Sequence, residues 1–300
     1  MNKLHLMQVF VAVAEEAGFA AGARRLGMSP PAVTRSISNL EDNLGVQLLS
    51  RTTRYVRATE SGQRYLEDAR RIIAEVNAAD EAVAGINAAP RGHLAVTAPV
   101  LFGRMFVTPC IIDYLNRYAD TSISAIFLDR VVNLLEEGFE VGVRIGELAD
   151  SSMRALRVGQ VRLVVCASPR YLEHNGTPHL PKDLTRHSII TSSASSRLSD
   201  WRFKTPANDQ TVRIESRLTV TSNDAAIEAA IGHLGITRLL SYQIAPLLME
   251  GKLRTILVEH ESVPLPIHII HRQGRNESAK VRAFVDLIAK RLREDPALQS

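Results

Sequence analysis

Between residues 29 and 57 the chain groups short hydroxyl side chains, two prolines and several arginines at spacings that share one surface. Ser29, Pro30, Pro31, Thr34, Arg35 and Ser38 are interleaved with Val33, Ile37, Leu40 and Leu44. The apolar set, spaced 4, 3 and 4, is the buried stripe of a helix, and the polar set falls on the remaining surface near its start. Short polar side chains allow close approach to another surface, and an arginine among them can reach a phosphate or a guanine edge. Arg51, Thr53 and Arg54 follow in a basic turn whose charges suit flanking phosphates.

The surrounding elements have to present these groups. Leu6, Val9, Phe10, Val13, Ala14 and Ala17 predict a first helix ending near Gly18. A second, short helix is expected from about Ala20 to Leu26, with Gly27 as its stop. Ser29 is the natural N-cap of the third helix, and Pro30 and Pro31 suit its first turn, where no amide donor is lost. Gly45 ends that helix. Val46 to Leu49 is apolar, and the alternation through Val56 and Ala58 predicts a two-stranded ribbon, a wing. A helical hairpin with a basic loop is the competing reading. Thr59 then caps a longer helix, from about Glu60 to Ala88. Its Tyr65, Ala69, Ile72, Val76, Ala79, Val83 and Ile86 recur at 4, 3, 4, 3, 4, 3, a seam that predicts helix pairing and most simply a homodimer. A single helix lying on its own domain is the alternative. Paired heads would meet two half-sites one or a few helical turns apart.

Bulk composition narrows the class. A chain of 300 residues has room for two or three domains, and 45% hydrophobic residues is an ordinary globular value. No apolar run reaches about 18 residues, so no membrane span is expected, and the first residues lack the cleavage pattern of a secretion signal. Cys110 and Cys166 lie in apolar surroundings and read as buried thiols, which fits a reducing cytoplasm. The net charge of +4 is mild, but residues 20–57 hold six arginines against Glu41 and Asp42. Such a local excess attracts a phosphate backbone, or else it is a solvated face.

From residue 92 onward strands and helices alternate, which predicts a mostly parallel α/β sheet. Strands are expected at Leu94–Ala98, Ser122–Leu128, Val141–Ile145, Ser188–Thr191, Arg213–Val220, Gly235–Leu239 and Ile267–His271. Arg162–Ala167 should open a second lobe. Helices are expected at Phe102–Tyr118, Val131–Gly138, Asp224–His233, Gln243–Glu250 and Ser278–Arg293. Two crossings, near 160 and near 265, would leave a cleft between two lobes. Ligands in such folds sit beyond the carboxyl ends of strands, at helix starts. That nominates Pro99, Val100, Leu101 and Phe102, then Arg144 with Gly146, then Thr191, Ser192 and Ser193, and finally Ser222 and Asn223. Backbone amides with hydroxyls suit a carboxylate effector, and Leu101 and Phe102 suit an apolar body. Each hydroxyl could equally serve an ordinary turn or cap, Arg144 could be a structural ion-pair partner, and Asp224 would repel a carboxylate that came too close.

Enzyme signatures are missing. The chain has no HExxH, GxSxG or GxxxxGK[ST], and no GxGxxG after a strand. His268 and His271 fall on opposite faces of an expected strand. His174 and His179 flank a loop and read as solvated, and neither cysteine has a metal-like partner spacing. No cofactor, metal or catalytic set is expected.

The stretch LMQVFVAVAEEAGFAAGARRLGMSPPAVTRSISNLEDNLGVQLLSRTTRYVRATESGQRYL, almost all of the first 66 positions, resembles the LysR-type transcriptional regulators. GHLAVTAPVLFG, VGVRIGEL, SNDAAIEAAIGHLGITRLLSYQIAPLLMEGKL and PLPIHIIHRQGRNESAKVRAFVDLI carry the resemblance more weakly toward the end of the chain. It implies an α/β protein with an N-terminal all-α winged helix-turn-helix over 1–59 and a dimerisation linker helix over 60–88. An effector-binding domain like periplasmic binding proteins would then span 89–300, with lobe I at about 91–160 and 265–300 and lobe II at about 161–264. Carried onto this sequence, it puts Pro30, Pro31, Thr34 and Arg35 at the DNA groove and Arg51 and Thr53 on the wing. Two departures stand out. Gly18-Phe19-Ala20 replaces a Ser-Phe-Thr common in the family, and Gly22 replaces an alanine. Each should weaken the second helix by about 1 kcal/mol. The expectation is a homodimeric or homotetrameric regulator that binds double-stranded DNA at an inverted-repeat operator, switched by a small molecule. A ligand-binding sensory protein acting through protein contacts is the alternative.

Overall fold

The computed structural model describes residues 2–51, 56–83, 89–148, 153–192, 200–204, 209–272 and 278–299. They fall into two compact units, one built on the first 89 residues and the other on most of the remainder.

The first unit begins with α1 (Lys3–Glu15), α2 (Phe19–Leu26) and α3 (Pro30–Leu44). Strands β1 (Leu49–Arg51) and β2 (Val56–Ala58) pair antiparallel as the expected wing, and α4 (Glu60–Val83) follows. Val9, Phe10, Val13, Ala23, Val33, Ile37, Leu40, Leu48 and Ala69 close one core. Gly27 at φ 61° and Gly45 at φ 67° end α2 and α3 in the left-handed region, which a side-chain-bearing residue enters at a cost. The expected cap at Ser29 is different in kind. The residue holds the N-cap position, but its side chain makes no capping bond. Pro31 has no amide to offer, and the Ala32 amide donates to the Ser29 carbonyl at 2.9 Å. Thr59 does cap α4, its hydroxyl accepting the Gly62 amide at 2.9 Å.

The α4 seam divides its labour. Ala69 is fully buried, Tyr65 and Ile72 pack on the same core, and the Phe10 and Tyr65 rings lie 5.5 Å apart. The first half of the seam therefore serves its own unit. The side chains of Ala79 and Val83, and all of Ile86, lie outside the described residues.

The second unit holds two five-stranded sheets. In the first the order is β4 (Thr121–Phe127), β3 (Gly92–Ala98), β5 (Val141–Ile145), β14 (Leu265–Arg272) and β6 (Met153–Val161). In the second it is β11 (Ser216–Val220), β8 (Ile189–Ser192), β12 (Ile236–Leu240), β7 (Leu163–Ala167) and β13 (Arg254–Ile256). A separate hairpin pairs β9 (Asp200–Phe203) with β10 (Gln210–Arg213). The chain leaves the first sheet at Arg162 and returns between Ile256 and Leu265.

Several expectations need correction. The sheets are mixed rather than mostly parallel: β3 pairs parallel with β4 and β5, but β14 runs antiparallel to β5 and β6. The second sheet repeats this, with β12 parallel to β8 and β7 antiparallel to β12 and β13. Chain crossing reverses direction, and β6, β9 and β13 went unread in the sequence. Val131–Gly138 is no helix. Residues 134–138 form turns, with Asn133 Oδ1 accepting the Leu135 amide at 3.2 Å and Gly138 at φ 75° closing them. Arg213–Val220 is two strands in different sheets. The helix expected at Phe102–Tyr118 starts earlier, at Val100, and runs through a wide π-turn over Gly103–Val107 before Thr108–Arg117.

Candidate functional site

On α3 the buried stripe of Val33, Ile37 and Leu40 turns the opposite face outward. Ser29, Pro30, Pro31, Arg35 and Ser38 are exposed there, and Thr34 is half-buried. The Thr34 hydroxyl donates to the Pro30 carbonyl at 3.0 Å and keeps its lone pairs to accept. The Ser29 hydroxyl is not spent on the helix, for the reason given above. Arg35 has no carboxylate or carbonyl partner among the described residues. This face is small, polar and singly cationic, as a helix entering a major groove requires.

The wing is tied to the same helix. The Glu41 carboxylate accepts the amides of Leu48 at 2.8 Å and Leu49 at 3.0 Å, where the chain turns into β1. The Arg51 side chain, and Thr53 and Arg54 entirely, lie outside the described residues. One part of the local charge excess is spent internally. Arg25 meets Glu15 at 2.6 Å and Glu16 at 3.5 Å, and Arg70 also reaches Glu15, at 2.8 Å. Arg25 therefore adds little to the field in front of α3.

In the second unit a cavity of 510 Å³ opens between the two sheets. Of the nominated residues, Pro99, Thr191, Ser192 and Asn223 line it. Leu101 and Phe102 do not, because they belong to the core beneath. Val100 stands beside the cavity with its amide bonded to Asp129 Oδ1 at 3.0 Å. Ser222 is spent as a cap, accepting the Ala225 amide at 3.3 Å. Arg144 and Gly146 miss the cavity, since Ile145 between them takes the inward position; Arg144 Nη1 donates to the Val143 carbonyl at 3.1 Å. Ser193 lies outside the described residues. The Thr191 hydroxyl sits 2.8 Å from Ser216 Oγ and 3.2 Å from Thr219 Oγ1, a hydroxyl cluster at the strand end.

Charged and hydroxyl groups that line the cavity were missed in the sequence. Arg238 lies 4.8 Å over the Trp201 ring and 5.9 Å from that of Phe203, and its Nη1 donates to the Arg202 carbonyl at 3.3 Å. Burial lowers its pKa to about 10, so it stays cationic at neutral pH. Across the cavity, Asp129 has its carboxyl pKa raised by burial and by the charge of Asp224, against the opposing effect of the Val100 amide. Burial also raises the Tyr242 hydroxyl. The one available signal was Trp201, the single tryptophan of the chain, next to two charged residues. Among the described residues no three His, Cys, Asp or Glu side chains gather to hold a metal. Cys110 and Cys166 are both free and buried, and burial raises the Cys166 thiol to about 12.

Comparison with known proteins gives two family matches. Residues 4–63 match the model described as "Bacterial regulatory helix-turn-helix protein, lysR family", and residues 87–293 match "LysR substrate binding domain". The regulator CrgA of Neisseria meningitidis is 30% identical over 287 residues, covering 95% of this chain and 96% of that protein. An HTH-type transcriptional regulator of Xanthomonas campestris is 31% identical over 292 residues, covering 96% of this chain and 85% of its own. Among solved structures, CrgA aligns with a TM-score of 0.62 at 29% identity over 96% of this chain and 98% of that one. Full-length AphB, a virulence activator of Vibrio cholerae, aligns at 0.64 with 24% identity over 97% and 99%, a likeness of fold.

Proposed function

The chain belongs to the LysR family of bacterial DNA-binding transcriptional regulators with an effector domain, and from that premise we propose how it reads DNA and what governs it. The reading face is Ser29, Pro30, Pro31, Thr34, Arg35 and Ser38, with Arg51, Thr53 and Arg54 holding flanking phosphates. The observation that carries this reading is Arg35, exposed and without a partner among the described residues, on a face otherwise made of small polar groups. The protein acts as a homodimer or homotetramer on an inverted-repeat operator, with the linker helix over 60–88 pairing the heads. It works in the cytoplasm beside its DNA; no helix of the described residues is long and apolar enough to cross a membrane. The domain limits that follow are 1–59, 60–88 and 89–300.

The effector binds in the cleft of the second unit, where Pro99, Thr191, Ser192 and Asn223 meet, and it carries a carboxylate. It switches the protein only if it binds one arrangement of the two lobes more tightly than another. The cleft is read as a binding site because the family is one of regulators and not of enzymes. Selection of bound sequences from a random DNA pool by the purified protein tests the DNA reading. Enrichment of an inverted repeat with two half-sites supports it. Absence of any enriched sequence at low salt, with and without candidate effectors, overturns it.

A further inference from the structure

The cleft carries two uncompensated charges of opposite sign. Arg238 meets no carboxylate among the described residues, and its guanidinium plane is committed to the Trp201 ring, which leaves its edge donors for a ligand. Asp129 meets no cation among the described residues, and its carboxylate accepts the Val100 amide at 3.0 Å. Asn223, which also lines the cavity and precedes the Asp224 whose charge acts on Asp129, is 9% exposed, and its buried Oδ1 has no hydrogen-bond partner among the described residues. A buried acceptor left unpaired costs free energy, so this end of the cleft calls for a donor. Asp200 and Arg202, the remaining charged lining residues, are both exposed and opposite in sign, so they add little net bias.

A plain carboxylate would satisfy Arg238 but would leave Asn223 Oδ1 unpaired and face Asp129 across the cavity. A plain amine would leave Arg238 without an anion. We propose that the effector is amphoteric, of the amino-acid class: its ammonium group is held by Asp129 and Asn223 and its carboxylate by Arg238. This rests on the cleft reading above and narrows it. The 510 Å³ volume suits a ligand of that size.

Trp201 lines the cleft and is the chain's single tryptophan, so its fluorescence reports on this site alone. Full-length protein is titrated with the twenty common amino acids. For each one that binds, the skeleton is titrated again without the amine and without the carboxylate; for leucine these are 4-methylpentanoate and 3-methylbutylamine. At least one amino acid should quench or shift Trp201, and either deletion should weaken binding more than about tenfold. Asp129→Asn should weaken the amino acid and not the deaminated acid. Asn223→Asp, which adds negative charge without changing size, should strengthen the amine. Arg238→Met should weaken the acid and not the amine. A deaminated acid that binds as tightly as its parent overturns the proposal, as does failure of every amino acid to bind. If such an acid shifts operator binding, the cleft reading stands while this inference falls. If an amino acid binds as stated but never alters operator binding, this inference stands and the switching role of the cleft falls.

Discussion

The Glu41 carboxylate accepts the Leu48 main-chain amide at 2.8 Å, so the helix proposed to read DNA also fixes where the wing begins. The same oxygen accepts from Leu49 at 3.0 Å, and both of these residues are buried. Removing the carboxylate leaves two amides without a partner. Glu41→Ala should therefore cost about 2 kcal/mol of stability, read as a lower midpoint in chemical denaturation. Glu41→Gln keeps an acceptor oxygen and should recover most of the loss. Equal stability of all three proteins would show that the wing is positioned without this bond.

Gly62, in the first turn of α4, lies against the same segment. A Cβ there would sit 1.9 Å from the Leu48 carbonyl oxygen, far inside contact distance. The obstacle is backbone and cannot rotate away. Gly62→Ala should give a protein that loses DNA binding and much of its cooperative unfolding, although alanine favours helix by about 1 kcal/mol. Thr59→Ala, which removes the cap on the Gly62 amide and the hydroxyl's bond to the Gln47 carbonyl at 2.8 Å, should cost about 1–2 kcal/mol and leave the fold intact. The contrast is the test: similar behaviour of the two variants would mean that the close approach at Gly62 is relieved easily.

Arg35 and Arg51 should separate base reading from phosphate holding. Arg35→Ala is expected to cost about 1–3 kcal/mol at the specific site and to relax preference at one base position. Arg51→Ala should weaken all sequences alike and flatten the dependence of affinity on salt. Binding assays on the selected operator and on scrambled DNA, at several salt concentrations, distinguish these results. Full sequence preference retained by the Arg35 variant, or an unchanged salt slope in the Arg51 variant, would remove that residue from its assigned role.

The first unit was legible in the sequence because its signals are local. Gly27, Gly45 and Thr59 mark ends and a start by conformational and capping preference, and the Val33–Ile37–Leu40 stripe orients α3. Gly22 was legible as a cost but not as a fit: a Cβ there would lie 2.9 Å from Val13 Cγ2 and 3.0 Å from its Cα, so the glycine lets α1 and α2 approach. The α4 spacing alone does not say whether Tyr65, Ala69 and Ile72 face another chain or their own core, and they pack on their own core. In the second unit the β3, β5, β8 and β12 strands were visible as apolar runs, and β6 was not, since arginines punctuate it on a sheet edge. The cleft was the least legible part. Rules about strand ends found Pro99, Thr191, Ser192 and Asn223, but Asp129, Trp201 and Arg238 come to one cavity from segments far apart in the chain, one of them a separate hairpin.

Asp129 gives a pH signature that needs no ligand. Burial, with the nearby charge of Asp224, raises its pKa in the folded protein above the ordinary value of 3.8, and the Val100 amide offsets only part of this. Its contribution to stability is therefore fully present below that ordinary value, where the group is protonated whether folded or not. It is lost as pH rises through the higher folded value, because the folded state must then hold a partly desolvated charge. Asparagine stays neutral throughout, and its side-chain oxygen can still accept from Val100. Asp129→Asn should accordingly unfold with the wild type at acid pH and at a higher temperature than the wild type near neutrality. Thermal unfolding of both proteins from pH 3.5 to 7.5 measures the gap. A gap that stays constant with pH, or that opens toward acid, would mean that the Asp129 charge is favoured by its surroundings, and the case for a cation-seeking end to the cleft would weaken with it.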